Sequence, residues 1–375
     1  MHAKWLIMLA NSGFWATFPQ SAQEQPRESE TPMKNFASWI ASAAVLSSVA
    51  YTSAAQVIHA QYVIPTLDRW NYAFNGAPGT RFEMPTFGAI DEIGHDDHDA
   101  QVLLGFDTFG EITSGLGADQ YQVLSVTVTM TVANHNGFQY DPTHDTFDTY
   151  GVLGEPFDTD PGRPLNLWLT GYRGGQDQTT YFENSPFGFV PDVPPAQGMR
   201  NAFTAVFDDL GVATDISNNL KEQFEAVPLA IGQTNAINPG DIVPADTEFS
   251  WTFTPCQIGV HNELGKMLDL GQIRFSLSSL QAADGGPDGG GEINYPIWYT
   301  KENPIAPILG FTPTLSIQVR VGSAGDYNGD GSKNFLDVSA FLSDFGNGLP
   351  IADINGDCSF NFLDVSAFLS AFSSN

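Results

Sequence analysis

Between residues 56 and 322, apolar and polar side chains alternate in short runs. Val126, Val128, Met130 and Val132 interleave with Thr127, Thr129 and Thr131. Phe249, Trp251 and Phe253 interleave with Ser250 and Thr252, Ile273, Phe275 and Leu277 with Arg274 and Ser276, and Leu315, Ile317, Val319 and Val321 with Ser316, Gln318 and Arg320. A period of two puts the apolar set on one face of a strand and the polar set on the other. Gln101–Phe109 and Leu165–Tyr172 are further strand candidates. Helical spacing is rare here; Ser217–Glu225 and Asn262–Leu268 carry it best. Strands with one apolar face pair antiparallel and bury that face against a second sheet. The expected fold of 56–322 is therefore mainly β, a large antiparallel β-sandwich that is jelly-roll-like.

The period changes near the C-terminus. NFLDVSAFLS stands at Asn334–Ser343 and again, unchanged, at Asn361–Ser370. Val338, Phe341, Leu342 and Phe345 fall at i, i+3, i+4 and i+7, and Val365, Phe368, Leu369 and Phe372 repeat that spacing. This predicts two short amphipathic helices. Each follows a ladder of oxygen-bearing residues. The first runs from Asp326 as DYNGDGSKNFLD, the second from Asp353 as DINGDCSFNFLD. Ca²⁺ takes six to eight oxygen ligands, and a twelve-residue loop supplies them from positions 1, 3, 5, 7, 9 and 12. In the first loop these are Asp326, Asn328, Asp330, Ser332 through its carbonyl, Asn334 and Asp337. In the second they are Asp353, Asn355, Asp357, Ser359 through its carbonyl, Asn361 and Asp364. Two calcium ions are the expected cofactors. Position 6 calls for a left-handed backbone, which favours glycine. Gly331 fits; Cys358 predicts strain, a weaker second site, and tighter binding after Cys358→Gly. No helical pattern precedes either loop.

Tandem loop–helix units without an entering helix resemble the dockerin family, over about Gly325–Asn375. The resemblance implies a small α-helical calcium-binding module with EF-hand-type loops that binds a cohesin-like protein. It also implies a secreted protein, anchored to a surface complex and concerned with polysaccharide binding or breakdown. In that family, loop positions 10 and 11 help recognise cohesin and are often polar. Here they are Phe335–Leu336 and Phe362–Leu363, which form either an apolar partner surface or part of the core. The phrases LLGFDT (103–108) and VLSVTVTMTV (123–132) weakly resemble secreted jelly-roll modules.

The N-terminal region agrees with export. Met33-Lys34-Asn35 precedes an apolar run, Phe36–Ala50, and Ser53-Ala54-Ala55 offers small residues for cleavage before Gln56. That pattern is a signal peptide over 33–55, with 1–32 as an over-long start, a β-sandwich domain over 56–322 and the dockerin-like module over 323–375. No later stretch has the length of a membrane span. With 14 Lys+Arg against 43 Asp+Glu, the net charge of −29 argues against nucleic acid as a partner. Whether the two cysteines, Cys256 and Cys358, meet is not readable from their spacing.

Chemistry in 56–322 is sparse. HExxH, GxSxG, a Walker loop and zinc-type Cys/His spacing are all missing. The cluster Asp91–Asp99 reads as a metal site or as a solvated acidic loop. Asp141, His144, Asp145 and Asp148, with Asp158 and Asp160, read as a structural calcium site or as loop acids. Tyr181-Phe182-Glu183-Asn184 is echoed by Tyr299-Thr300-Lys301-Glu302-Asn303, so Glu183 and Glu302 are weak candidates for the acid and base of an O-glycosyl hydrolase. The other reading of both phrases is a pair of loop ends. Three functions follow: a calcium-dependent anchoring protein, a glycoside hydrolase, and a non-catalytic carbohydrate-binding or structural surface protein. Two carboxylates in an aromatic cleft would favour the enzyme. A strip of exposed Trp or Tyr would favour sugar binding.

Overall fold

A computed structural model describes residues 57–374 except 91, 136, 151–158, 189–199 and 284–293. The expected signal peptide and the residues before it lie outside the described residues, as do Asp91 and Asp158. The described chain is mainly β, with antiparallel pairing between its strands. In chain order the strands are β1 (Val57–Tyr62), β2 (Leu67–Asn71), β3 (Glu83–Pro85), β4 (Gln101–Asp107), β5 (Tyr121–Thr131), β6 (Leu165–Tyr172) and β7 (Ala202–Phe207). They continue as β8 (Ala213–Asp215), β9 (Ala230–Ile231), β10 (Glu248–Phe253), β11 (Gln272–Ser279), β12 (Ile297–Tyr299) and β13 (Thr314–Val321). The helices are α1 (Ile258–Asp269), α2 (Ala306–Leu309), α3 (Phe335–Gly346) and α4 (Phe362–Ser373).

One sheet has the order β1-β13-β5-β10. The other runs β2-β4-β11-β6-β7-β8, with β9 paired to β6, and β12 pairs with β3 in a small third sheet. Alternation explains the first sheet. Val126, Val128, Met130, Phe249, Trp251, Leu315, Ile317 and Val319 are all buried, whereas Thr252, Ser316 and Gln318 on the other face are exposed. On that wet face, hydroxyls pair across strands, Thr127 with Thr252 at 2.9 Å and Thr129 with Thr314 at 2.6 Å. The inward residues share one core with Val102, Leu104 and Phe106 of β4, Leu167 and Leu169 of β6 and Ile273, Phe275 and Leu277 of β11. Each such side chain contributes roughly 1.5–3 kcal/mol by leaving water.

The second sheet departs from simple alternation. β11 is buried along nearly its whole length, Arg274 and Ser276 included. Loop residues cover its outer face, where Leu67, Leu103, Tyr181 and Ala202 form one small cluster and Trp168, Ile216 and Ala226 another. Asn262–Leu268 is helical, within α1. Ser217–Glu225 is not a helix but a series of turns. Asn218 and Asn219 spend their side chains on Asp96, Asp97 and His98, more than a hundred residues away, and Gln223 takes φ 57°. Long-range pairing here outcompetes the i to i−4 ladder.

At the C-terminus, α3 and α4 pack through Phe341 and Phe368, whose rings stack at 4.3 Å. Tyr327 meets both edge-on, at 5.6 and 6.1 Å. Val338, Phe345, Val365 and Phe372 complete this small core. Leu342 and Leu369, which fit the helical stripe, face solvent instead, at 53% and 50% exposure. Before each loop the described backbone holds no α-helix; a 3₁₀ turn, Pro350–Ala352, precedes the second.

Candidate metal centre

The two loops fold alike. Asn334 caps α3, its Oδ1 accepting from Leu336 N at 2.8 Å, while Asp337 Oδ2 accepts from Asn334 N at 2.8 Å. Asn361 and Asp364 do the same for α4, at 2.7 and 2.9 Å. These are reciprocal capping pairs. They hold position 12 of each loop where its other oxygen reaches back to position 3: Asp337 Oδ1 accepts from Asn328 N at 3.0 Å and Asp364 Oδ1 from Asn355 N at 3.4 Å. Both carboxylates are fully buried. At position 1, Asp326 Oδ2 accepts from Gly331 N and Asp353 Oδ2 from Cys358 N, at 2.9 and 2.8 Å. Asp326 Oδ1 is buried and has no hydrogen-bond partner. Burial pushes the Asp353 carboxyl upward, against the backbone N–H groups of Cys358, Asp357 and Gly356.

The donor set suits a hard cation. Each loop carries three carboxylates and two side-chain amides, and an orphaned buried oxygen such as Asp326 Oδ1 is costly without a positive partner. Ser332 O and Ser359 O, the carbonyls of position 7, accept from Asn334 Nδ2 and Asn361 Nδ2 at 2.8 and 3.0 Å. Asn334 and Asn361 therefore serve as helix caps as well as candidate ligands. At position 6, Gly331 has φ 83° and Cys358 has φ 57°, so both take the left-handed turn.

Cys358 has a reason to be there. It forms a disulfide with Cys256, between β10 and α1 of the sandwich. The second loop is also docked without it. Gln122 of β5 donates through Nε2 to Asp353 O at 2.6 Å. Gly356 lies so close to α1 that a Cβ there would stand 2.7 Å from the His261 ring. The first loop is held by Arg320 of β13, which donates to Ser323 O at 2.7 Å and Asp326 O at 3.3 Å and stacks over Tyr327. Lys333 reaches across the repeat to the last carbonyls of α4, at 2.7 Å from Ala371 O. Residues 51–375 accordingly form one compact unit.

At positions 10 and 11, Phe335 and Leu336 are 77% and 55% exposed, and Phe362 and Leu363 are 76% and 57% exposed. These pairs stand in solvent and are not part of the core.

The remaining sequence candidates fall into three clusters. Glu183 and Glu302 do come together, with Asp68, which sequence reasoning missed; one oxygen of each lies within 4.8 Å of the others. Lys301 sits among them, its Nζ bonded to Asp68, 2.9 Å from Glu183 Oε2 and 2.8 Å from Glu302 Oε1. Burial raises the Asp68 carboxyl to about 7 despite Lys301, and raises Glu183 also. One ammonium bonds all three carboxylates in a shared ion-pair node. In the Asp91–Asp99 cluster Glu92 and Ile93 are exposed, whereas His95–Asp99 is buried. Asp96 binds Arg200, Asp97 binds Lys221 N at 2.9 Å, and His98 binds Asn219 at 3.0 Å, all buried. Of the third group, Asp141, Asp145 and Asp160 converge, His144 turns to Glu225 at 3.1 Å, and Asp148 is exposed. Among the described residues no Trp or Tyr is exposed, and no helix is long and apolar enough to cross a membrane.

No protein-family model matches this chain, and no curated protein matches it.

Proposed function

We propose that this chain is an exported anchoring protein whose C-terminal, dockerin-like module binds two calcium ions and carries a jelly-roll-like β-sandwich to a cohesin-like partner. The observation that carries the reading is the joint placement of two things in each repeat. Each ladder of loop oxygens ends on a fully buried carboxylate, Asp337 or Asp364, and the first holds an orphaned buried oxygen, Asp326 Oδ1. Just before that last carboxylate, an apolar pair, Phe335–Leu336 or Phe362–Leu363, projects into solvent. Exposed Phe and Leu side chains cost solubility in a chain of charge −29, and their repetition supports a recognition role. Asp326, Asn328, Asp330, Ser332, Asn334 and Asp337 would hold the first ion, and Asp353, Asn355, Asp357, Ser359, Asn361 and Asp364 the second. Calcium would offset most of the charge of the three loop carboxylates and lock the loop against its helix.

The pairing of both cysteines supports an oxidising compartment, in keeping with the signal-like segment 33–55. Within the polysaccharide-related role that the dockerin resemblance implies, the described residues favour a non-catalytic sandwich. Lys301 Nζ bonds both Glu183 and Glu302, so the two carboxylates are spent on an ion pair. Binding of the full chain to a panel of purified cohesin modules, with calcium and with chelator, tests the reading. Calcium-dependent binding lost in Phe335→Asp/Phe362→Asp is the expected result. Binding to none of them, or binding indifferent to chelator, overturns it.

A further inference from the structure

A cleft of about 420 Å³ opens between β2 and β3, lined by Trp70, Thr80, Arg81, Phe82, Glu83 and Pro85. That volume lies within the roughly 300–1,000 Å³ of small-molecule sites. Its walls are fixed. Trp70 stacks on Tyr72, with ring centres 4.7 Å apart and planes 17° apart. The backbone leading into β3 is tied to distant segments. Gly79 N donates to Asn184 Oδ1 at 3.2 Å, Thr300 Oγ1 to Arg81 O at 2.6 Å and Thr300 N to Phe82 O at 3.2 Å. The side chains of Arg81, Phe82 and Glu83 nevertheless stand in solvent, Phe82 at 56% exposure.

Arg81 is held at one end only. Its Nε donates to Asn75 Oδ1 at 3.0 Å, and Asn75 Nδ2 donates to Trp70 O at 2.9 Å. The guanidinium lies over the Trp70 ring, 5.7 Å from its centroid. Among the described residues nothing accepts from its two Nη groups, and Arg81 makes no ion pair, in a chain with 43 Asp+Glu against 14 Lys+Arg. A fork and a ring positioned in advance lose little freedom on binding.

The cleft thus offers an apolar ring in Phe82, a planar fork of donors in Arg81 and a pure acceptor in the Glu83 carboxylate. A ligand that uses all three has an apolar face edged by groups that both donate and accept. A sugar ring is built that way, with C–H groups on its face and hydroxyls on its edge. One cation and one anion balance within the cleft, and the chain as a whole carries −29. A uronate or sulfated sugar would meet Glu83 and that field unfavourably, so the complement is a neutral sugar.

We infer that this cleft binds a neutral sugar residue of a polysaccharide, packed on Phe82 against the Trp70 wall, with Arg81 and Glu83 bonding its hydroxyls. Such a site rests on the non-catalytic, polysaccharide-related role proposed above for the sandwich.

Native gels of the full chain, cast with hydroxyethyl cellulose, xyloglucan or galactomannan as neutral probes and with polygalacturonate or alginate as acidic ones, test it. A neutral polysaccharide should retard wild type. Phe82→Ala and Arg81→Gln change exposed side chains, so Tm and near-UV circular dichroism should stay as in wild type, while each weakens that binding about tenfold or more. The two variants are independent, so if one misfolds the other decides. Retardation by acidic polysaccharides alone would overturn the proposal. Neutral binding undiminished in a folded variant would remove this cleft and leave the polysaccharide role standing. No retardation on any gel would remove the site and that role together.

Discussion

Replacing Cys358 with glycine sets two effects against each other. Glycine relieves a side chain held at φ 57°, worth roughly 1 kcal/mol. It also removes the Cys256–Cys358 disulfide, which joins residues 102 apart. In the chain-entropy account a loop of that length restricts the unfolded chain by about 4.7 kcal/mol. The cross-link outweighs the strain in folding stability, so Cys358→Gly destabilises the whole chain, whereas the tighter calcium binding expected of it concerns the second loop alone. Two variants without free thiols separate the terms. Cys256→Ala/Cys358→Ala loses the disulfide and keeps a Cβ in the left-handed turn; Cys256→Ala/Cys358→Gly loses it and relieves the turn. Both should fall about 3–5 kcal/mol below wild type, the glycine variant about 1 kcal/mol above the alanine one. At roughly 2–4 °C per kcal/mol, that is a drop in Tm of about 10 °C. Calorimetry of the full chain in saturating calcium, with and without reductant, measures it. Reductant should lower wild type toward the variants and leave the variants unchanged. A glycine variant as stable as oxidised wild type would refute the reasoning.

Lys301→Met should destabilise the sandwich by about 3–5 kcal/mol in urea unfolding, because it strands Asp68, fully buried, beside Glu183 and Glu302; a loss under about 1 kcal/mol would contradict the ion-pair node. His98 is buried, and burial lowers its pKa from 6.5 to about 4, among Asp97, Asn219, Arg200 and Asp215. The unfolded chain takes up this proton first, so the stabilisation is complete above about 6.5 and lost as pH falls toward 4. Asp68, whose carboxyl is raised to about 7, works in the opposite direction, so the readout is the difference in urea midpoint between wild type and His98→Gln, which should shrink as pH falls through that window; a difference constant with pH would remove His98 as a cause. Phe335→Asp and Phe362→Asp should change stability by no more than about 0.5 kcal/mol, since both rings stand in solvent; a large drop in Tm would place them in the fold rather than on a recognition surface.

What the sequence makes legible follows the range of the interactions. Strands β5, β10, β11 and β13 are written in their own alternation, and Leu165–Tyr172 is β6 to the residue. The short strands β3, β8, β9 and β12 hold two or three residues each, too few to show a period. The loop–helix repeats are local and duplicated, so their spacing reads directly. Leu342 and Leu369 misled the stripe because each helix buries a narrow face against its twin, centred on Phe341 and Phe368. The node of Asp68, Glu183, Lys301 and Glu302 joins segments more than a hundred residues apart, and no spacing rule announces it. The disulfide is of the same kind. Cys358 stood out only as a wrong residue in a calcium loop, and its partner becomes visible once the loop is seen against α1.

The most direct measurement is the calcium count of the full chain against the chain carrying Asp326→Asn, Asp330→Asn, Asp353→Asn and Asp357→Asn, by titration calorimetry and equilibrium dialysis. Whatever the sandwich itself holds, the account predicts a difference of two ions, one for each repeat. Equal counts in the two proteins would contradict it, and with it the calcium-dependent anchor.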